Sequence, residues 1–384
     1  MNQQLRVGVL FILTYFSLAS ICFLYLNDEA IKTPFFSNSS SISSAAAINI
    51  PEYRNSTLTL AIWLGGRTGN LLFEIASSVA IAAHYKLDVC LDSTSGYYHI
   101  VQEIALLLNI LVPKACSSDH LRRIKVGDII GVYNHAYVFE DFYVNHGHGG
   151  TLSQANGTRM SLEDLFGLQR ERLGDLYYLK GYRSSWKYLT LGSKIAEVTL
   201  KKQVFLSARE SLKKLVPKHH RVAIHLRVGD ASDPRHLYNF PGSEYFHEAM
   251  QHFRRKWEKV KFLVFSDNSR WCQLQSRLAT KDIHIVESGQ MPQAKVRNHD
   301  LALMSACDGV FTSLGTFGWW AGHFSFQNGG EVIYFKNTFN VSQVRKMGEV
   351  AEVDDFFPPD WIGIKAPALD RQWNMVQNIK RDVL

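Results

Sequence analysis

Three short segments carry residue types that can grip an anion. The first is GGRTGNLLFE at 65–74. Its glycines let backbone approach a ligand, and Asn70 opens a helical pattern whose free N–H groups favour negative charge. It matches neither G-x-G-x-x-G nor the Gly-Lys-Ser/Thr phosphate loop, and a plain glycine turn is the other reading. The second is HLRVGD at 225–230, directly after an apolar run. A guanidinium fixed at a strand end can hold a diphosphate with two parallel charge-assisted hydrogen bonds that a lysine cannot reproduce, so Arg227 is the first choice for that task. An Arg227–Asp230 ion pair that orders the turn is compatible with it. The third is TSLGTFGWWAG at 312–322. Thr312, Ser313, Thr316 and the backbone around Gly315 and Gly318 offer neutral donors that can hold phosphate without a metal. Trp319 and Trp320 read as core aromatics rather than sugar platforms.

Each segment follows a strand signal. LTLAIWL at 58–64 runs into the first glycine turn, and Leu72, Ile75, Val79 and Ala82 then share one helical face. KLDVCL (86–91) is the next strand. RVAIHL (221–226), KFLVFS (261–266), IHIVES (283–288), GVFTS (309–313) and EVIYF (331–335) continue the pattern. Between them Phe246, Met250, Phe253 and Trp257 recur with helical spacing, and Ser243 fits as N-cap. Residues 203–220 read as a helix and linker between two halves. Short β-branched runs alternating with helices give an α/β chain with parallel sheets, whose ligands bind beyond the carboxyl ends of strands.

Length and charge bound the function. The chain has 384 residues, 46% of them hydrophobic, which is room for two ordinary domains. A net charge of +7 and a pI near 9.0 favour an anionic ligand. No Lys/Arg block of nucleic-acid type stands out, since Lys213-Lys214 and Arg254-Arg255-Lys256 fall on solvated helix faces. Val7 to Leu26 carries no charge over about 20 residues, enough to cross a ~30 Å hydrocarbon core. Arg6 precedes it, and Asp28 and Glu29 follow, which orients a tail of residues 1–6 to the cytosol. The Ser/Ala-rich stretch within 27–55 reads as a stem. Sequons at Asn38, Asn55, Asn156 and Asn340 agree with a lumenal location. Cys22 lies in the apolar span. Cys90 with Cys116 and Cys272 with Cys307 is the pairing by proximity, one of three connectivities, with buried thiols as the alternative.

The order of the three motifs resembles the α-1,2-fucosyltransferases of glycosyltransferase family 11. That family is similar in having G-G/R-x-G-N-Q, then H-x-R-R-G-D, then S-x-S/T-F-x-W-W. VFSDNSRWC (264–272), DLALMSAC (300–307) and GGEVIYF (329–335) resemble its connecting text. Val228 stands where the family has its second arginine, and Leu71 where it has glutamine. The resemblance implies a GT-B-like α/β fold of two Rossmann-like domains facing across a cleft behind an N-terminal transmembrane helix. The organisation expected is a cytosolic tail (1–6), a signal anchor (7–26), a stem (27–55), an acceptor domain (56–206) and a donor-binding domain (207–384). It implies GDP-fucose as donor substrate, an acceptor glycan of glycoproteins or glycolipids, inversion at the sugar carbon and no required metal or cofactor. It also implies a single-pass type II Golgi membrane protein. The absence of any Asp-x-Asp triplet independently agrees with metal-free transfer.

On this resemblance the donor contacts fall on Gly69, Asn70, His225 and Arg227 in the first two motifs and on Ser313, Thr316 and Phe317 in the third. Ser266 and Asp267 end a strand, where the Asp267 carboxylate can accept from both guanine N–H groups. The acceptor proton needs a base. Asp233 and Glu74 are favoured over Asp230. Two other readings stay open: a protein O-fucosyltransferase, and a non-catalytic glycan-binding protein on a transferase fold. Val228 should fill an apolar position, because Val222, Ile224, Leu226 and Val228 alternate on one strand face.

Overall fold

The computed structural model describes residues 58–146, 158–167, 174–191, 197–229, 236–273, 280–287 and 293–369. The tail, anchor and stem, Cys22, the sequons at Asn38, Asn55 and Asn156, and the carboxylates Asp230 and Asp233 lie outside the described residues. Residues 47–384 form one compact unit.

The unit is built on two six-stranded sheets. The first takes β1 (Thr59–Ile62), β2 (Asp88–Leu91), β4 (Ile130–Asn134), β5 (Phe142–His146), β6 (Thr158–Met160) and β7 (Leu176–Lys180), in the order β2-β1-β7-β4-β5-β6. The β2-β1-β7-β4 part is parallel, but β5 and β6 are antiparallel, so the expectation of parallel sheets holds only in part here. Two short strands, β3 (Leu108–Asn109) and β8 (Thr199–Leu200), pair with each other. The second sheet is parallel throughout. It takes β9 (His220–Leu226), β10 (Val260–Ser266), β11 (Ile283–Ile285), β12 (Gly309–Thr312), β13 (Glu331–Phe335) and β14 (Ile362–Ile364), in the order β11-β10-β9-β12-β13-β14. Chain order therefore reverses between β9 and β12. Strands buried on both faces need apolar residues at nearly every position, and VAIHL and FLVF supply them.

Two helices bring the sheets together at their N-termini. Helix Thr68–Tyr85 follows the glycine turn after β1, is buried through its first four turns, and ends at Lys86 in the left-handed conformation. Helix Thr316–Gln327 follows β12 behind Gly315, whose φ of 86° suits a residue without Cβ. Phe73 packs on Trp319 and Trp320 at ring-centroid distances of 4.6 and 5.0 Å. Both tryptophans are fully buried, as read from the sequence, and both indole N–H groups are satisfied: Trp319 donates to the Phe356 carbonyl and Trp320 to the Gly69 carbonyl.

A short stretch near 349–356 crosses to the first sheet. The Glu349 carboxylate accepts from the Tyr133 hydroxyl at 2.6 Å, from His135 at 3.1 Å and from the Ala136 N–H. Burial alone would raise the Glu349 carboxyl, but these bonds hold it below the usual range. Asp355 accepts from the Phe139 N–H and from Lys187.

Two local expectations are corrected. Helix Ser243–Lys256 begins at Ser243 with Gly242 as its N-cap; the Ser243 hydroxyl leans toward Glu244 and caps nothing. Cys90 and Cys116 are bonded, but Cys272 and Cys307 are free, buried thiols. Cys272, on the short helix Ser269–Gln273 after β10, sits beside Ser266, while the Cys307 thiol donates back to the Leu303 carbonyl of the helix that precedes it. Their closeness in sequence does not become closeness in space because β11 and a thirteen-residue helix, Gln293–Ser305, intervene.

Candidate active site

The point where β9 and β12 part is where ligands of an open parallel sheet bind. The sequence puts two of its three motifs there. Thr312 pairs with His225 across the two strands, and the Ser313 N–H donates to the His225 carbonyl. The Ser313 hydroxyl in turn accepts from the Arg227 N–H at 3.1 Å, which fixes where the arginine leaves the strand. Its guanidinium lies over Gly315, since a Cβ on Gly315 would sit 2.6 Å from Arg227 Nη1. Arg227 also reaches toward the first sheet, where its charge acts on the Tyr137 hydroxyl.

His225 fills the space that Gly318 leaves open: a Cβ on Gly318 would lie 2.4 Å from His225 Nδ1. The Phe317 ring flanks it at 5.9 Å. Burial pushes the imidazole down to about 4, Asp267 opposing and Arg227 assisting, so the ring is neutral at physiological pH. Among the described residues its buried Nδ1 has no partner.

Asp267 has a structural duty. Its carboxylate accepts from the Val228 N–H at 2.8 Å and from the Gly229 N–H, holding the turn that carries Arg227. Half of its accepting capacity for a guanine is thus already used within the protein. Ser266 accepts from the Asn268 N–H and sits beside the Cys272 thiol. Val228 is buried at 4% exposure, as its place on the apolar face of the strand requires.

The remaining motif arrives from the first sheet. Gly69 packs so tightly on the start of helix Thr316–Gln327 that a Cβ would meet the Thr316 carbonyl carbon at 2.5 Å and the Phe317 nitrogen at 2.6 Å. The Thr316 hydroxyl donates to Asn70 Oδ1 at 2.7 Å. Two helix N-termini, each with unsatisfied N–H groups and a partial positive charge, therefore meet beside Arg227. Together they make a site for a strongly anionic group such as a diphosphate.

Glu74 sits elsewhere than a proton acceptor would. It is fully buried beneath the glycine turn, with Oε2 accepting from the Gly65 N–H at 3.0 Å and Oε1 unpartnered. Burial raises its carboxyl well above the ordinary range, against the pull of Arg183. The arginine is itself fully buried and donates to the Ser77 hydroxyl and the Glu74 carbonyl. Among the described residues no group of three or more His, Cys, Asp or Glu side chains could hold a metal ion.

The sequence reading passed over Tyr137, Tyr182 and Arg183. The run LYYLKGYR at 176–183 is a β-rich segment closed by glycine, the pattern used to find β1, and would have flagged the last two.

A family model described as glycosyl transferase family 11 matches residues 170–365, just over half of the chain. The chain belongs to glycosyl transferase family 11. Its match takes in all of the second sheet, and so the whole β9–β12 junction. Among relatives of this family-11 chain, galactoside alpha-(1,2)-fucosyltransferase 1 of Leontocebus fuscicollis is 28% identical over 232 residues, covering 57% of this chain and 60% of the relative. The protein of the same name from Bos taurus is 30% identical over 200 residues, covering 49% and 53%. The chain thus spans about three fifths or less of these relatives. Among solved structures, fucosyltransferase NodZ from Bradyrhizobium superposes with a TM-score of 0.40 at 14% identity, covering 69% of this chain and 92% of NodZ. The apo form of POFUT1 gives 0.42 at 11% identity, covering 73% and 98%.

Proposed function

We propose that this family-11 protein transfers L-fucose from GDP-β-L-fucose, with inversion, to a glycan hydroxyl, the 2-OH of a terminal galactose. The observation that carries the reading is the meeting of Arg227 with two helix N-termini at the β9–β12 junction. The names of the relatives support fucose and an α-1,2 linkage to galactoside. The two sheets then act as the halves of a GT-B-like enzyme, the second holding the donor and the first the acceptor.

The acceptor oxygen attacks the anomeric carbon from the face opposite GDP. The new C–O bond forms as the bond to the β-phosphate oxygen breaks, through a transition state of oxocarbenium character. Arg227 and the backbone N–H groups after Gly315 and Arg67 take up the charge developing on the leaving diphosphate. Neutral His225 can donate to or accept from the donor without adding charge. The acceptor proton is assigned to a carboxylate that follows Arg227 in sequence, Asp233 ahead of Asp230, because Glu74 is turned into the core. No metal is needed in this scheme. The chain is further proposed to sit in the Golgi membrane, anchored through residues 7–26 with its enzyme part in the lumen.

The test is incubation of the full-length chain with GDP-fucose and a panel of β-galactosides, followed by linkage analysis of the product. Fucose α-linked to galactose O2 is the expected result. Fucose found only on protein hydroxyls, or binding of glycan with no transfer and no donor hydrolysis, would reject it.

A further inference from the structure

The first sheet has a reversal of its own. The chain steps from β1 to β2 on one side, then returns to lay β7 along the other side of β1. Ligands of such sheets gather outside the strand ends at this point. What stands there is aromatic. The Trp63 indole, just past β1, folds over Gly65 so closely that a Cβ on that glycine would lie 2.0 Å from the ring. The Tyr182 ring, just past β7, lies against Gly66, within 3.1 Å of where its Cβ would be. The two centroids are 6.1 Å apart and the rings are tilted by 45°. Glycine at 65 lets the indole reach this place, while Gly66 is set by its φ of 77° and by Asn70 Nδ2, 2.5 Å from where a Cβ would be.

Neither ring belongs to the core. Both are half-buried, in contrast to Trp319, Trp320, Tyr177 and Tyr188, which are closed off completely. The rim is polar. Lys180 Nζ stands 5.5 Å from the Trp63 centroid, and the Asp92 carboxylate is held by the Tyr178 hydroxyl and by Thr94. Ser95 donates to the Leu64 carbonyl, which ties the loop after β2 to the Trp63 segment.

We propose that Trp63 and Tyr182 are the platform on which the acceptor sugar stacks its apolar C–H face, and that they position its hydroxyl for transfer. The inference rests on the fucosyl-transfer reading given above. An aromatic ring with a polar edge offers apolar area and hydrogen-bonding groups together, which a hexopyranose presents in complementary form. Two tilted rings on either side of a glycine turn fit a puckered sugar; a planar base would need a parallel slot. The shelf also adjoins the anion site directly. Asn70 accepts from Thr316 and hydrogen bonds the Tyr182 hydroxyl, so one side chain touches both.

The experiment uses lactose with the full-length chain, in two arms. In steady-state transfer, Trp63→Leu and Tyr182→Leu should each raise the lactose KM roughly three- to tenfold, the loss expected for one aromatic contact. The GDP Kd measured by calorimetry should stay within about twofold, because the rings stand at the β1–β7 reversal and Arg227 at the β9–β12 junction. Trp63→Phe, which keeps a ring, should recover most of the loss. In the second arm, saturation-transfer NMR of lactose without donor should show contact in the native protein and in Trp63→Phe and lose it in Trp63→Leu. A lactose KM unchanged in folded Trp63→Leu, or no saturation transfer to lactose in the native protein, overturns the proposal. If the native chain fails to bind GDP, the transfer reading falls by itself, and the NMR arm still decides whether the shelf binds sugar.

Discussion

Gly69→Ala tests the junction of the two helices most directly. A methyl group there would lie 2.5 Å from the Thr316 carbonyl carbon and 2.6 Å from the Phe317 nitrogen, both backbone atoms that no rotamer change can move. Carbon contacts are comfortable near about 3.5–4.0 Å, so the helix starts must separate by roughly 1 Å. Overpacking of this kind costs about 1–3 kcal/mol. The separation also stretches the Trp320–Gly69 and Thr316–Asn70 hydrogen bonds, 3.0 and 2.7 Å long. Weakening each adds up to about 1 kcal/mol. A total of roughly 1–5 kcal/mol should lower the melting temperature by about 1–7 °C in a protein of this size. The same displacement spreads the donor groups around the diphosphate, where an error of about 1 Å can cost a hundredfold in rate. Differential scanning calorimetry with and without GDP, together with transfer kinetics, reads both effects. Gly96→Ala is the control, since nothing lies within 4 Å of its added carbon. Gly69→Ala with the native melting temperature and native kinetics would mean that the helix starts are not locked together, and the argument for a shared anion site would fail with it.

Arg227→Lys should keep the fold and lose most transfer, about 1.5–3 kcal/mol of transition-state stabilisation, because the charge remains and the paired geometry does not; near-native kcat/KM would remove Arg227 from the donor site. His225 titrates near 4 when folded against about 6.5 unfolded, so the unfolded chain binds more protons between these values and stability falls with pH across that window. By pH 5 the loss from this one group is about 2 kcal/mol, so the drop in melting temperature from pH 7 to pH 5 should be smaller in His225→Gln than in the native chain; equal drops would show that the ring is protonated in the fold. Val228→Arg buries an unpaired guanidinium and should lower the melting temperature without tightening GDP binding. Tighter, salt-sensitive binding at an unchanged melting temperature would show that this side chain faces the donor. EDTA should leave the transfer rate unchanged, and a rate abolished by chelation and restored by manganese would refute the charge scheme assigned to Arg227 and the helix N-termini.

The second sheet was legible because burial on both faces forces continuous apolar runs, and β9, β10, β12 and β13 all carry them. The helix after β1 showed itself through its apolar spacing, and His225, Arg227, Ser313 and Thr316 by standing at strand ends. The rest depends on contacts that no local pattern records. The strands β4 and β5, IGVYN and FYVNH, mix glycine, asparagine and tyrosine with few aliphatic residues, and they become strands by pairing with each other and with β7 and β6 on either side. Glu74 looked available for catalysis because its position one turn into a helix says nothing of which side that turn faces. Trp63 and Tyr182 are more than a hundred residues apart, and the pleating of β1 beside β7 is what makes them neighbours. The bracing of the Arg227 turn by Asp267 runs through two backbone N–H groups, which leave no trace in residue identity.

The crossing stretch near 349–356 limits how the chain can be divided. By sequence it lies between β13 and β14 of the second sheet, yet Glu349 answers to Tyr133 and His135, and Asp355 to Phe139 and Lys187. Ser185 and Trp186 likewise donate to its backbone carbonyls. A hybrid enzyme made by joining the front of one relative to the back of another at the linker would therefore inherit a mismatched clasp. Swaps of acceptor preference should carry this segment along with residues 130–187, or transplant only the surface around Trp63 and Tyr182. Natural drift faces the same constraint, because a change on either side of the clasp must be matched 168 to 216 residues away.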